Sequence, residues 1–275
     1  MSGTAKDLLA VVREEDGAGH ARETWTLNAP ASRNALTDAM VEQLLAACER
    51  ARGDAQLRFI VLRGAGGHFC AGGSLGGFAD SIGQPPGAGV DPLIEANRSF
   101  GRLLEALCAL PQWLLAAVEG AAMGGGLGLV ACADQVLAAA DAQFAAPEVT
   151  LGVVPAQIAP FLVWRLGAGT ARQWLLQGQR YTAQQALNDG LVQQIAGHDF
   201  EQAIEARLQV MRVSGPLALA STKRLLWAME APRIGSLLDT AAREFAQALR
   251  RPEAAQGLKA FAARAKAPWH SEEKA

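Results

Sequence analysis

The sequence predicts an α/β fold followed by a helical C-terminal region. Three observations carry that reading. Short apolar runs of strand type alternate with helical patterns and glycine-rich loops through the first two-thirds of the chain. From residue 199 onward only helical patterns remain, so residues 1–198 read as the core and 199–275 as a helical appendage. Half of the 275 residues are hydrophobic and 19% are charged, which supplies a sizeable core and excludes a disordered chain.

The elements follow in order. Leu8 to Arg13 and Thr24 to Asn28 read as strands around the turn-like Asp16-Gly17-Ala18-Gly19, an opening hairpin. Residues 38–52 place Met40, Val41, Leu44, Leu45 and Cys48 at helical spacing, with Thr37 as N-cap. Phe59-Ile60-Val61-Leu62 has the look of a buried strand and ends in a glycine-rich turn at 63–67. A Gly/Pro-rich loop covers 71–92, and a helix is expected over 93–109. Trp113 to Val118 is a second buried strand, running through Gly120 to the glycine triplet 124–126. A helix over 124–132 and a strand near 135–139 complete the alternation. Met123, Trp113, Trp164 and Trp174 read as core or pocket wall. Beyond 199, helices are expected over 199–213, 216–231, 234–250 and 253–266. Gly215-Pro216, Ala231-Pro232 and Arg251-Pro252 separate them, because proline lacks the N–H that a helix interior uses.

Charge and composition exclude several functions. Twenty-five basic against 27 acidic residues give a net charge of −2, so no global field gathers a polyanion and no nucleic-acid partner is expected. Four cysteines and four histidines are scattered without metal-ligand spacing or a disulfide framework. No apolar stretch reaches the ~18–20 residues that span a bilayer. The N-terminus shows no cleavage-type signal. The expectation is a cytoplasmic chain with no membrane partner.

The candidate chemistry sits on two loops that each follow a buried strand. The first is Phe69-Cys70-Ala71-Gly72-Gly73-Ser74-Leu75, and the second runs from Gly120 to Gly128. Glycine lets a backbone turn sharply and approach a ligand with no Cβ in the way. Two main-chain N–H groups converging on one oxygen make an oxyanion hole. Either loop alone is more economically read as a turn. A third segment, Ala146-Pro147-Glu148-Val149-Thr150-Leu151-Gly152, sets a lone carboxyl group in apolar surroundings. Burial raises a carboxyl pKa towards the range that moves protons at neutral pH, although a capping or surface role suits Glu148 taken singly.

Together, in this order, the motifs resemble the crotonase (enoyl-CoA hydratase/isomerase) superfamily. The match includes Leu27-Asn28-Ala29-Pro30 with Asn34-Ala35-Leu36, Phe69-Cys70-Ala71-Gly72, and Ala116-Ala117-Val118 with the glycine triplet. It continues through Cys132-Ala133-Asp134, Pro147-Glu148, Leu151-Gly152 with Pro155, and Gly257-Leu258-Lys259-Ala260-Phe261 before Lys266-Ala267-Pro268-Trp269. The resemblance implies a spiral of ββα units with a helical C-terminal trimerisation region. It implies an acyl-CoA thioester as partner, with coenzyme A part of the substrate and no separate cofactor or metal. Gly73 and Gly125 would donate to the thioester carbonyl, beside Ala71 and Gly72, and Glu148 would be the acid/base. Coenzyme A contacts are implied around Arg33 and, from a neighbouring subunit, around Phe261 and Arg264. Pro85-Pro86-Gly87 would belong to a loop lining the acyl pocket. The implied assembly is a homotrimer, which can pair as a dimer of trimers.

The sequence departs from the family pattern where function is decided. Hydratases of the family usually carry a second glutamate two positions after the glycine triplet, and Gly128 stands there. Ser74 replaces a common aspartate, and Pro155-Ala156-Gln157-Ile158-Ala159-Pro160 replaces a glycine-rich stretch. Gly128 with this last segment resembles hydratases of branched glutaconyl-CoA thioesters, such as isohexenylglutaconyl-CoA or methylglutaconyl-CoA. Gln157 is then a candidate for positioning water or substrate. A lone Glu148 suits double-bond isomerisation as well, and the missing glutamate leaves a non-catalytic acyl-CoA binder or an RNA-associated member as further alternatives.

Overall fold

The computed structural model describes residues 7–15, 19–74, 82–85, 89 and 91–270. Strands β1 (Leu9–Glu15) and β2 (Ala21–Leu27) form the expected antiparallel hairpin, with Leu9 opposite Leu27. Turn residues 16–18 lie outside the described residues. Strict alternation along β2 buries Ala21, Glu23, Trp25 and Leu27 on one face. Strands β3 (Leu57–Gly64), β4 (Trp113–Val118), β6 (Gln135–Ala138) and β9 (Gln194–Ile195) extend this sheet in parallel, in the order β1-β2-β3-β4-β6-β9. Every residue of β4 is buried, the mark of a strand covered on both faces.

Helices α1 (Asp38–Arg52) and α2 (Pro92–Cys108) cover one face, where Met40, Leu44, Leu103 and Leu107 join Trp25, Ile60 and Leu62 in the main core. Thr37 caps α1 as expected, its side chain accepting from the Met40 amide. Pro92 opens α2 behind the Asp91 cap. The other face meets α6 (Phe200–Met211), whose Ile204 and Leu208 pack with Phe59, Val61, Trp113 and Leu115.

A second sheet, β5-β7-β8, consists of β5 (Ala121–Met123), β7 (Gln143–Ala145) and β8 (Tyr181–Thr182). The chain runs β4, β5, then helix α3 (Gly125–Ala131), and repeats the step with β6 and β7. Each pass thus places one strand in each sheet, the ββα spiral that the resemblance implied. Its corner is where the second glycine loop turns into α3.

Three features differ from the sequence reading. Helices α4 (Ala159–Gln177) and α5 (Ala183–Asn188) were not expected. In α4 the pattern is interrupted at Gly167, whose φ of 75° breaks the helix, and α5 is short and set by its Thr182/Gln185 capping box. Helix α7 (Pro216–Arg250) runs straight through Pro232, correcting the expected break there. The proline removes one hydrogen bond and is exposed, while Ile234, Leu238 and Ala242 bury the same helix against the core, and packing prevails over propensity. Helix α8 (Pro252–Ala262) ends before 266, with Arg264 in the left-handed region at φ 53°.

All four cysteines are free and buried. Among the described residues no helix is long and apolar enough to cross a membrane, and no cluster of three His, Cys, Asp or Glu side chains could hold a metal ion.

Candidate active site

The two glycine loops are hydrogen-bonded to one another. The Cys70 amide donates to Ala121 O and the Met123 amide to Cys70 O, both at 2.9 Å, which joins the first loop to β5 in parallel register. Asn34 holds the same loop from the other side. Its buried side chain donates to Ala65 O and His68 O, at 2.9 and 2.7 Å, and accepts from the Ala29 amide. The Leu36 amide then donates to Gly72 O, and the Ser74 amide to Leu36 O. That pattern skips Gly73. Among the described residues, no acceptor takes the amide of Gly73 or of Gly125, the first residue of α3.

The two free amides lie close together. A Cβ on Gly125 would fall 3.6 Å from Gly73 N, and one on Gly72 would fall 3.6 Å from Gly125 N and 2.8 Å from Met123 O. Gly72 also has φ +95°, so the approach of the two loops depends on glycine there. The Leu36 and Phe100 side chains border the Gly125 amide, at 3.0 and 3.3 Å from where its Cβ would be.

Glu148 opens a 3₁₀ turn (Glu148–Leu151) after β7. Its Oε1 lies 2.9 Å from the position of a Cβ on Gly124, which has φ +51°, so glycine admits the carboxyl group to the start of α3. Its Oε2 is buried and has no hydrogen-bond partner. Burial pushes the Glu148 pKa up from an ordinary 4.5 to about 7, only partly offset by a hydrogen bond from its own amide. A group poised there can both take and return a proton near neutral pH.

Gly73, Gly125 and Glu148 line one cavity of about 820 Å³, together with Ala71, Gly72, Gln157 and Phe261. That volume falls within the range of small-molecule sites. The Arg33 and Arg264 side chains are exposed and do not line it, although Arg33 O accepts from the Ala71 amide at 2.9 Å. Phe261, expected to act from a neighbouring subunit, also lines the cavity of its own chain. The cause is the return of α8 onto the Glu148 turn. The backbones touch so closely that a Cβ on Gly257 would fall 2.3 Å from Leu151 O. Residues 86 and 87 of the expected pocket loop lie outside the described residues.

The place of the missing second glutamate is filled. A Cβ on Gly128 would fall 2.5 Å from Ile158 Cγ2 and 3.5 Å from Leu104 Cδ1, both buried core residues. Apolar side chains therefore stand where the second glutamate would project, and Glu148, Asp38, Glu42 and Glu95 are the carboxyl groups that line the cavity.

Sequence reasoning missed the contribution of α2. Asn97, Ser99, Phe100 and Arg102 all line the cavity. Their only local signal was a polar interruption of an amphipathic pattern, which any surface helix shows. Gln157 is fixed rather than free, its Nε2 donating to Asn97 Oδ1 at 2.8 Å and to Leu238 O at 2.9 Å.

Residues 23–272 match the Enoyl-CoA hydratase/isomerase family. The chain is 35% identical over 204 residues to 2,3-dehydroadipyl-CoA hydratase of Escherichia coli K12, covering 73% of this chain and 76% of that protein. Among solved structures, Pseudomonas aeruginosa AtuE superposes with a TM-score of 0.72 at 44% identity, covering 95% of this chain and 99% of that one. An enoyl-CoA hydratase/isomerase from Marinobacter aquaeolei gives 0.74 at 39% identity, covering 94% and 98%.

Proposed function

The chain belongs to the enoyl-CoA hydratase/isomerase family, and from that premise we propose that it adds water across the α,β double bond of an acyl-CoA thioester, with Glu148 as sole acid and base. The observation that carries this reading is the buried Glu148 carboxyl group standing beside two unpaired main-chain amides in one cavity.

The chemistry follows from those groups. The Gly73 and Gly125 amides take the thioester oxygen, and each donor is worth about 2.7–4 kcal/mol as negative charge builds there. The Glu148 carboxylate accepts a proton from water while the water oxygen bonds to Cβ. The π electrons move to the thioester, giving an enolate. The enolate collapses as Cα takes the proton back from the Glu148 carboxylic acid, and H and OH have been added to one face. Coenzyme A arrives as part of the substrate, and no step calls for a further cofactor or metal.

A branched glutaconyl-type chain, such as that of isohexenylglutaconyl-CoA, is the proposed substrate. It is supported by Gly128 with the Pro155–Pro160 segment, and by similarity to a hydratase whose named substrate is a dicarboxylic acyl chain. The proposed assembly is a homotrimer, able to pair into a hexamer. Exposed Leu217, Leu225, Met229 and Leu237 on α7 offer an apolar surface in its support.

The absence of a glutamate at Gly128 also favours a second reading, isomerisation between β,γ and α,β double bonds, which needs one base only. Turnover in ¹⁸O-water separates the two. Hydration places the label in the product; a shifted double bond with no label would replace the first reading by the second.

A further inference from the structure

The cavity lining includes an amide side chain whose orientation the fold determines. Gln157 is buried, with 2% of its surface exposed. A side-chain amide can usually be turned end for end, but here a main-chain carbonyl removes the ambiguity. Leu238 O can only accept, so the Gln157 atom 2.9 Å away is Nε2. The same Nε2 lies 2.8 Å from Asn97, so it donates its second hydrogen to Asn97 Oδ1. Both Gln157 amide hydrogens are thereby used. Its Oε1 is buried against Gly101, where a Cβ would fall 1.9 Å away, and it cannot be turned into the cavity. The consequence falls on Asn97. Its oxygen is committed to Gln157, its Nδ2 has no partner among the described residues, and the residue lines the cavity.

We propose that Asn97, held in this orientation by Gln157, is a specificity-determining donor that recognises a carboxylate oxygen on the acyl chain. This rests on the hydratase reading and deepens it. A carboxylate oxygen has only lone pairs and takes donors, whereas what the reacting water needs is an acceptor for its proton, which Glu148 supplies. Asn97 lies one helical turn before Phe100, which borders the Gly125 amide, and both residues line the same cavity. Arg102 also lines the cavity but is half exposed and its charge is paired with Glu95, whereas the neutral Asn97 amide has no acceptor among the described residues. Gln157 is a positioning residue here, acting through Asn97.

The test uses thioesters matched in length, 2,3-dehydroadipyl-CoA against 2-hexenoyl-CoA, which differ in a terminal carboxylate. Asn97→Asp keeps the oxygen that Gln157 holds and turns the donor into an acceptor. It is expected to lower kcat/KM on the carboxylated ester by about 10- to 100-fold, leaving 2-hexenoyl-CoA within about threefold. Asn97→Ala is the second variant and should move the ratio the same way. Gln157→Leu frees the Asn97 amide to flip and should cut the same ratio; an unchanged ratio contradicts the lock. Equal losses on both esters, or no loss on the carboxylated one, overturn the inference. Calorimetric binding of adipyl-CoA and hexanoyl-CoA reads the same contrast without turnover. A protein with no hydratase activity would then sink the proposed reaction while the binding ratio still decides this inference.

Discussion

Replacing Glu148 by Gln separates the chemical role of its carboxyl group from its structural role, because the two respond to pH in opposite ways. The substitution keeps the shape and removes the titration. General acid–base catalysis contributes about 10²–10⁴-fold, and kcat of Glu148→Gln should fall by at least the lower figure, read as the loss of conjugated-thioester absorbance. Stability should change in the other direction. Below its ordinary pKa of 4.5 the group is protonated in both the folded and unfolded chain. Between 4.5 and about 7 the folded protein keeps a proton that the unfolded chain releases, and above that range it must hold a buried carboxylate. Wild-type stability therefore declines as pH rises through this window, by at most about 3 kcal/mol at 1.36 kcal/mol per pH unit. Glu148→Gln lacks that decline. Urea unfolding of both proteins at pH 5 and pH 8 should show the variant gaining on wild type at the higher pH, since other titrations cancel in the difference. A pH-independent difference, together with retained turnover, would refute the assignment of a buried proton carrier to this residue.

Two further predictions concern the glycines around it. Gly128→Glu, which restores the family residue, should cost about 1–3 kcal/mol or more through overpacking against Ile158 and should not raise turnover. Combining it with Ile158→Ala should recover part of the loss, as measured by denaturant midpoints. Gly72→Ala forces a Cβ to within 2.8 Å of Met123 O at φ +95°. It should destabilise the protein by more than about 1 kcal/mol and lower kcat, because the loops carrying Gly73 and Gly125 must separate; wild-type kcat in this variant would disconnect the loop spacing from catalysis.

What could be read from the sequence follows how local each requirement is. The glycine loops and Glu148 were legible because a sharp turn or a close backbone approach demands glycine at that position, and a carboxyl group among apolar residues is conspicuous. Thr37 was legible as a cap for the same reason. Pro232 misled because the opposing term, burial of Ile234 and Leu238 against distant residues, is absent from the local pattern. Asn97 was invisible because its meaning comes from Gln157 and Leu238, distant in sequence and brought together only by folding. Gly128 was recognised as a departure, but its consequence depended on Ile158, which the fold places over it. That Phe261 lines its own chain's cavity was not legible, because the path of α8 depends on backbone contacts with Leu151.

The account rests on one carboxyl group handling both protons, and that makes the geometry of addition its most direct test. A trans-2-enoyl-CoA that the protein hydrates is turned over in deuterium oxide, and the diastereomer is assigned by NMR. Glu148 acting alone predicts a single product with deuterium at Cα and hydroxyl at Cβ on the same face. Addition to opposite faces, or a mixture of diastereomers, would mean that a second group delivers the proton and would contradict the mechanism.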